Sequence, residues 1–177
     1  MRSTRPAMIA DLLTVSRLVL AVLVIPLAWS ANMELTGILI SVAWLTDFLD
    51  GRVARRSGGE GRMGRWDLTV DTLVGAGLLI GLTGAGEIPL WLTMVAMVVL
   101  GGWFLSGNPT ASMLLQLTGY VPLLLILWSR RPSAWQTPFL TAILIGVLDW
   151  RRLFTINIPA FLHGLVGKVP NRRGRLE

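Results

Sequence analysis

The sequence predicts an all-α protein, a polytopic integral membrane bundle of six transmembrane helices. Three observations lead there. Of the 177 residues, 53% are apolar and 15% are charged, with a mean hydropathy of +0.64; soluble domains carry about 25% charged residues. Six apolar stretches follow one another along the chain. Between most of them lie short segments rich in turn-forming residues. A spanning helix takes about 20 residues, so the length holds roughly six spans and short loops, with no room for a large extramembrane domain. Residues 1–177 therefore read as a single membrane domain.

The spans are expected at about 10–29, 35–52, 67–83, 88–105, 110–128 and 135–151. Ser30-Ala31-Asn32, Gly84-Ala85-Gly86, Ser106-Gly107-Asn108-Pro109 and Arg130-Arg131-Pro132-Ser133 supply the breaks. The first stretch is too interrupted, by Thr14 and Arg17, and too soon followed by further spans to read as a signal peptide. Residues 153–166 mix apolar side chains with Asn157, Pro159 and His163, which suits an interfacial helix. His163 reads there as a polar surface residue rather than a ligand.

Orientation follows from Lys and Arg. The N-terminal segment, the loop after span two (Arg52, Arg55, Arg56, Arg62, Arg65) and the C-terminal segment hold 13 of the 16 basic residues. With six spans, all three lie on one side. The positive-inside rule makes that side the cytoplasm, with both termini there, in a cytoplasmic membrane. The net charge of +6 accordingly reads as basic loops facing anionic lipid, and nucleic acid is not an expected partner. Trp29, Trp91, Trp128, Trp135 and Trp150 lie near span ends, as an interfacial aromatic belt or simply as lipid-facing packing.

Composition also limits the chemistry. Cysteine is absent and histidine occurs once, which excludes disulfides, thiolate catalysis and a multi-histidine metal site within one chain. A metal would have to be held by oxygen.

The acids are concentrated. Five of the ten fall between Asp47 and Asp71, and four of these are aspartates. Asp47 and Asp50 are spaced i, i+3, and Asp67 and Asp71 i, i+4, so each pair shares a helix face. Antiparallel packing of spans two and three would bring the four carboxylates together near the cytoplasmic surface. Carboxylates packed so closely disfavour one another's ionisation unless something positive lies between them. Divalent cations meet that need, and an all-carboxylate site suits Mg²⁺ or Mn²⁺. Two such ions about 3.5–4 Å apart are a recurrent arrangement for displacement at phosphorus, which suggests a pyrophosphate-containing substrate. The plainer alternative is four interfacial acids balancing the loop arginines. Gly51 and Ala54 share the aspartate face of span two, where small side chains admit either a ligand or a close helix neighbour.

The run Asp47-x-x-Asp50-Gly51-x-x-Ala54-Arg55, then Gly64 and Asp67-x-x-x-Asp71, resembles the signature of the CDP-alcohol phosphotransferases. It has eight fixed positions over about 25 residues of 177. Leu13-Thr14-x-x-Arg17 is similar to an N-terminal pattern of many members, with Asp11 near where an asparagine is common. One spacing differs. The family has three residues between its second glycine and third aspartate, whereas only Arg65 and Trp66 separate Gly64 from Asp67 here, and Met63 stands at the strict position.

The resemblance implies a role for each matched residue. Asp47 and Asp67 would bridge two Mg²⁺ or Mn²⁺ ions, Asp50 would hold one ion and Asp71 the other. Asp71 would also take the proton from the acceptor hydroxyl. Asp50, Gly51, Ala54 and Arg55 would line the CDP site. The implied reaction transfers a phosphatidyl group from a CDP-linked alcohol, in bacteria usually CDP-diacylglycerol, to a small alcohol acceptor with release of CMP. This belongs to phospholipid biosynthesis, and the family is typically homodimeric. Arg151 and Arg152 are candidates for holding an acceptor phosphate, with a topology anchor as the other reading. Two rival functions fit the acids less well. A prenyltransferase-type membrane enzyme usually needs more spans, and its first motif lacks the Gly-x-x-Ala-Arg tail. A divalent-cation transporter would place acids mid-span in several helices.

Overall fold

The computed structural model describes residues 4–57 and 66–165, and every element among them is helical. Helix α1 spans Thr4–Trp29, α2 Met33–Ser57, α3 Asp67–Gly84, α4 Leu90–Leu105, α5 Pro109–Arg130 and α6 Pro132–Leu148. A short turn of helix, α7 (Trp150–Arg152), and a π-helical turn (Leu153–Asn157) lead into α8 (Ile158–Leu165). Among the described residues, α1 to α6 overlap the six apolar stretches of the sequence.

By length and composition, three helices can cross a membrane: the 11–29 part of α1, all of α3 and all of α5. Helices α4 and α6 are apolar but shorter. Helix α2 carries Asp47, Asp50, Arg52, Arg55 and Arg56 in its C-terminal part. The protein is thus an all-helical membrane protein, in which the full set of six spans is an expectation of the sequence.

Several ends differ from the sequence reading. Helix α1 begins earlier, and α2 runs on to Ser57, past the end of its apolar stretch. A helix satisfies its own backbone, so it can continue through charged residues. Pro109 and Pro132 open α5 and α6, as suits a residue without an N–H. Asn108 caps α5 by accepting from the Thr110 N–H at 2.9 Å. Helix α6 stops at Leu148, short of 151. In the π-helical turn the Ile158 N–H donates to the Leu153 carbonyl five residues back, just before Pro159, which has no N–H to give.

Helix α3 is the centre of the bundle: 56% of it is buried, against 28% and 39% for the spanning parts of α1 and α5. It packs on α1 and α5, while α2 lies against α1 and α6, and α4 against α5. Small residues make the central contacts close. A Cβ at Gly81 would lie 2.6 Å from Ala28 Cβ and 2.8 Å from the Ile25 carbonyl, and one at Gly77 would lie 2.8 Å from the Ala21 carbonyl. Gly75 and Gly119 bring α3 equally near α5. Membrane helices gain little hydrophobic drive from meeting each other, so such backbone approach is a main source of their cohesion. Val24, Ile40, Val74, Leu78, Leu79, Leu82, Leu123 and Leu127 fill the space between. Outward faces remain apolar, as at Val22, Val98, Leu125 and Val147.

Candidate functional site

Helix geometry puts one arginine and the aspartates at one level. Arg17 lies twelve residues before Trp29, Asp47 fourteen after Met33 and Asp71 thirteen before Gly84. At 1.5 Å per residue, these are about 18, 21 and 20 Å from the same end of the bundle. Three neighbouring helices therefore present charge at the same depth.

The four aspartates converge on Arg17, whose side chain is 1% exposed. Its Nη1 donates to Asp47 Oδ1 at 2.7 Å and to Asp71 Oδ1. Its Nη2 donates to Asp50 Oδ2 at 2.7 Å and to Asp67 Oδ1. The Thr14 hydroxyl, one turn earlier on α1, donates to the same Asp50 oxygen at 2.9 Å. Asp50 is buried, while Asp47, Asp67 and Asp71 are partly open. The cluster thus has a closed side against α1 and an accessible side between α2 and α3.

Beside it lies a cavity of about 40 Å³, bounded by Asp47, Asp71, Ala43, Trp44, Val74, Gln116 and Tyr120. The Trp44 and Tyr120 rings meet edge to face at 5.2 Å. On the neighbouring face of α3, Thr72 bonds the Ser112 hydroxyl, which also accepts from Gln116 Nε2 at 3.1 Å. Helix α5 therefore lines the cavity with Gln116 and Tyr120, and Ser112 bonds Gln116 from behind.

The donor set fits a divalent ion. Asp47, Asp67 and Asp71 each offer an oxygen, and these lie within 4.8 Å of one another. All are hard ligands, as Mg²⁺ and Mn²⁺ require.

The family model described as CDP-alcohol phosphatidyltransferase matches residues 7–148. The chain belongs to the CDP-alcohol phosphatidyltransferase family. Neither the curated proteins nor the solved structures returned a match. The matched region contains Arg17 and all four aspartates, and it ends before Arg151 and Arg152. Membership makes the protein a transferase of a divalent-metal-dependent family that uses CDP-alcohols and alcohol acceptors.

Other residues singled out in the sequence are placed differently. Gly51 follows Asp50 on α2 and is half-buried. Ala54 and Arg55 continue α2, but their side chains lie outside the described residues, as do Met63 and Gly64 altogether. Arg151 and Arg152 are exposed: Arg151 lies over the Trp150 ring at 5.6 Å, and Arg152 is 4.0 Å from Asp149. Their described contacts are local, away from the aspartates. The sequence reading gave Arg17 no function beyond its place in the N-terminal pattern, and it omitted Trp44, Gln116 and Tyr120. A lone arginine in an apolar helix signals that a partner exists; only packing identifies it.

Proposed function

We propose that the protein transfers a phosphatidyl group from CDP-diacylglycerol, or another CDP-linked alcohol, to a small alcohol acceptor, releasing CMP in phospholipid biosynthesis. The convergence of Asp47, Asp50, Asp67 and Asp71 from two adjacent helices carries this reading, together with membership of the family.

Asp47, Asp50, Asp67 and Asp71 would hold two Mg²⁺ or Mn²⁺ ions. Bound there, such ions supply positive charge to the pyrophosphate and to the CMP leaving group. The chain's own groups do the rest. Asp71 borders both the cluster and the small cavity, so its carboxylate can take the proton of an acceptor hydroxyl. That oxygen bonds to the β-phosphorus, the bond from the β-phosphorus to CMP breaks, and the proton resides on Asp71. Gln116 and Tyr120 offer polar groups on the cavity side for orienting the acceptor. Gly51, Ala54 and Arg55 would line the CDP site.

The orientation is read from charge. The 13 basic residues of the termini, the C-terminal part of α2 and the segment after it face the cytoplasm, which opens the site to nucleotide while the bilayer holds the lipid tails. Helix α8, with its apolar composition and basic surroundings, would lie at that inner interface. Arg151 and Arg152, nearby, read better as an inner-face anchor than as an acceptor-phosphate site, since their contacts are local. A homodimer follows from the resemblance.

The test is incubation of the purified protein with CDP-diacylglycerol and glycerol 3-phosphate, inositol, inositol 1-phosphate or serine, with the lipid product identified by mass. CMP should appear with one acceptor's product. Release of diphosphate from a prenyl donor, or metal flux in vesicles without CMP release, would replace this reading with a rival one.

A further inference from the structure

Arg17 is used in an unusual way. A structural arginine commonly meets one carboxylate with two parallel hydrogen bonds. Here each terminal nitrogen is divided between two carboxylates on different helices or turns: Nη1 between Asp47 and Asp71, Nη2 between Asp50 and Asp67. Its Nε is buried with no hydrogen-bond partner among the described residues. The guanidinium has given up its best pairing geometry to stand at the hub of four negative groups, which is where a cation belongs.

Three of the aspartates it engages are also those of the candidate metal site. Asp47, Asp67 and Asp71, whose ligand atoms lie within 4.8 Å of one another, are all partners of Arg17. A divalent ion held by these carboxylates would stand close to the guanidinium at their centre. Two positive charges held so near each other would repel, in surroundings that screen charge poorly.

We propose that Arg17 is a built-in competitor of the divalent ions: it neutralises the aspartate cluster from within, and ion binding requires its guanidinium to withdraw. This rests on the metal-dependent reading above. One guanidinium leaves most of the charge of four carboxylates uncompensated, so the site still attracts ions, though more weakly than the bare cluster would. In exchange, the meeting of α1, α2 and α3 holds without them. Ion binding is thereby coupled to a movement on α1, the helix that also supplies Thr14 to Asp50.

The test compares the protein with its Arg17→Met variant, which keeps length but removes the charge and adds no hard oxygen. Free Mn²⁺ is measured by electron paramagnetic resonance, and thermal unfolding is followed in EDTA and in Mn²⁺. Arg17→Met should bind Mn²⁺ about tenfold more tightly or better. It should unfold at a lower temperature in EDTA and gain more from Mn²⁺ than the parent does. Unchanged or weaker Mn²⁺ binding in the folded variant would overturn the proposal while leaving the metal reading in place. Failure of the parent protein to bind Mn²⁺ would remove both. If Arg17→Met folds only with Mn²⁺ present, competition is supported. If it does not fold at all, Arg17→Lys decides. Its compact ammonium spans fewer carboxylates, so tighter Mn²⁺ binding than in the parent supports competition, and equal or weaker binding refutes it.

Discussion

Arg17 of α1 and Asp50 of α2 meet at 2.7 Å, and the Asp50 oxygen that accepts from Arg17 also accepts from Thr14. Asp50 is the most buried of the four aspartates, so its charge depends on these donors. This contact closes the side of the cluster facing α1 and leaves Asp47, Asp67 and Asp71 toward the open side. It also ties the first helix, which carries no acid of the signature, to the chemistry of the second and third.

Removing the Thr14 hydroxyl should therefore cost stability more than binding. Thr14→Val leaves Arg17 as the described donor to Asp50 Oδ2, so the loss should stay near 1 kcal/mol, a fall of a few degrees in thermal unfolding. Thr14→Ser should restore most of it. A change confined to turnover, with stability unaltered, would show that Thr14 acts in the reaction instead.

Asp71→Asn removes the group assigned to take the acceptor's proton. CMP release should fall by about 10²–10⁴-fold, while Mn²⁺ and the CDP-lipid still bind measurably. Near-normal CMP release would refute the assignment. Asp47→Asn should act earlier, weakening Mn²⁺ binding itself; an unaltered affinity would exclude a bridging role for that residue.

Chelation gives a third check. EDTA should abolish CMP release, and added Mg²⁺ or Mn²⁺ should restore it, with Ca²⁺ a poorer substitute because it prefers more ligands and a looser geometry. Activity that survives exhaustive chelation would contradict the role given to the aspartates.

Glycine at the α1–α3 contact predicts a sharp asymmetry among glycines. Gly81→Leu drives a side chain into Ile25 and Ala28 and should destabilise by about 1–3 kcal/mol. Gly101→Ala meets nothing within 4 Å and should be neutral or slightly stabilising. Equal effects on thermal unfolding would mean that close approach of α1 and α3 is not what holds the centre together.

Topology can be mapped directly because the chain contains no cysteine. Ser30→Cys, in the α1–α2 turn, and Ser106→Cys, after α4, are both at exposed positions. With six spans, a membrane-impermeant thiol reagent added outside intact cells should label the first and not the second. The reverse pattern would invert the orientation, and labelling of both would break the six-span reading.

By itself, the sequence determined the class of the molecule and the ligand chemistry. Apolar stretches of spanning length, the breaks between them and the clustering of arginines are local properties, and so is the placing of Asp47 with Asp50 and Asp67 with Asp71 on shared helix faces. Tertiary structure decided what those faces meet. Arg17 is 30 residues from Asp47 and 54 from Asp71 along the chain, and no spacing rule links them. Their meeting depends on α1 seating against α3 through Gly77 and Gly81, at the one register that sets the guanidinium level with the carboxylates. Likewise Trp44 of α2 and Gln116 and Tyr120 of α5 look like ordinary span residues until the packed helices bring them to the same cavity. A charge in an apolar helix announces that it has a partner, but which partner is a question of distance in space, and that is answered only when the helices are packed.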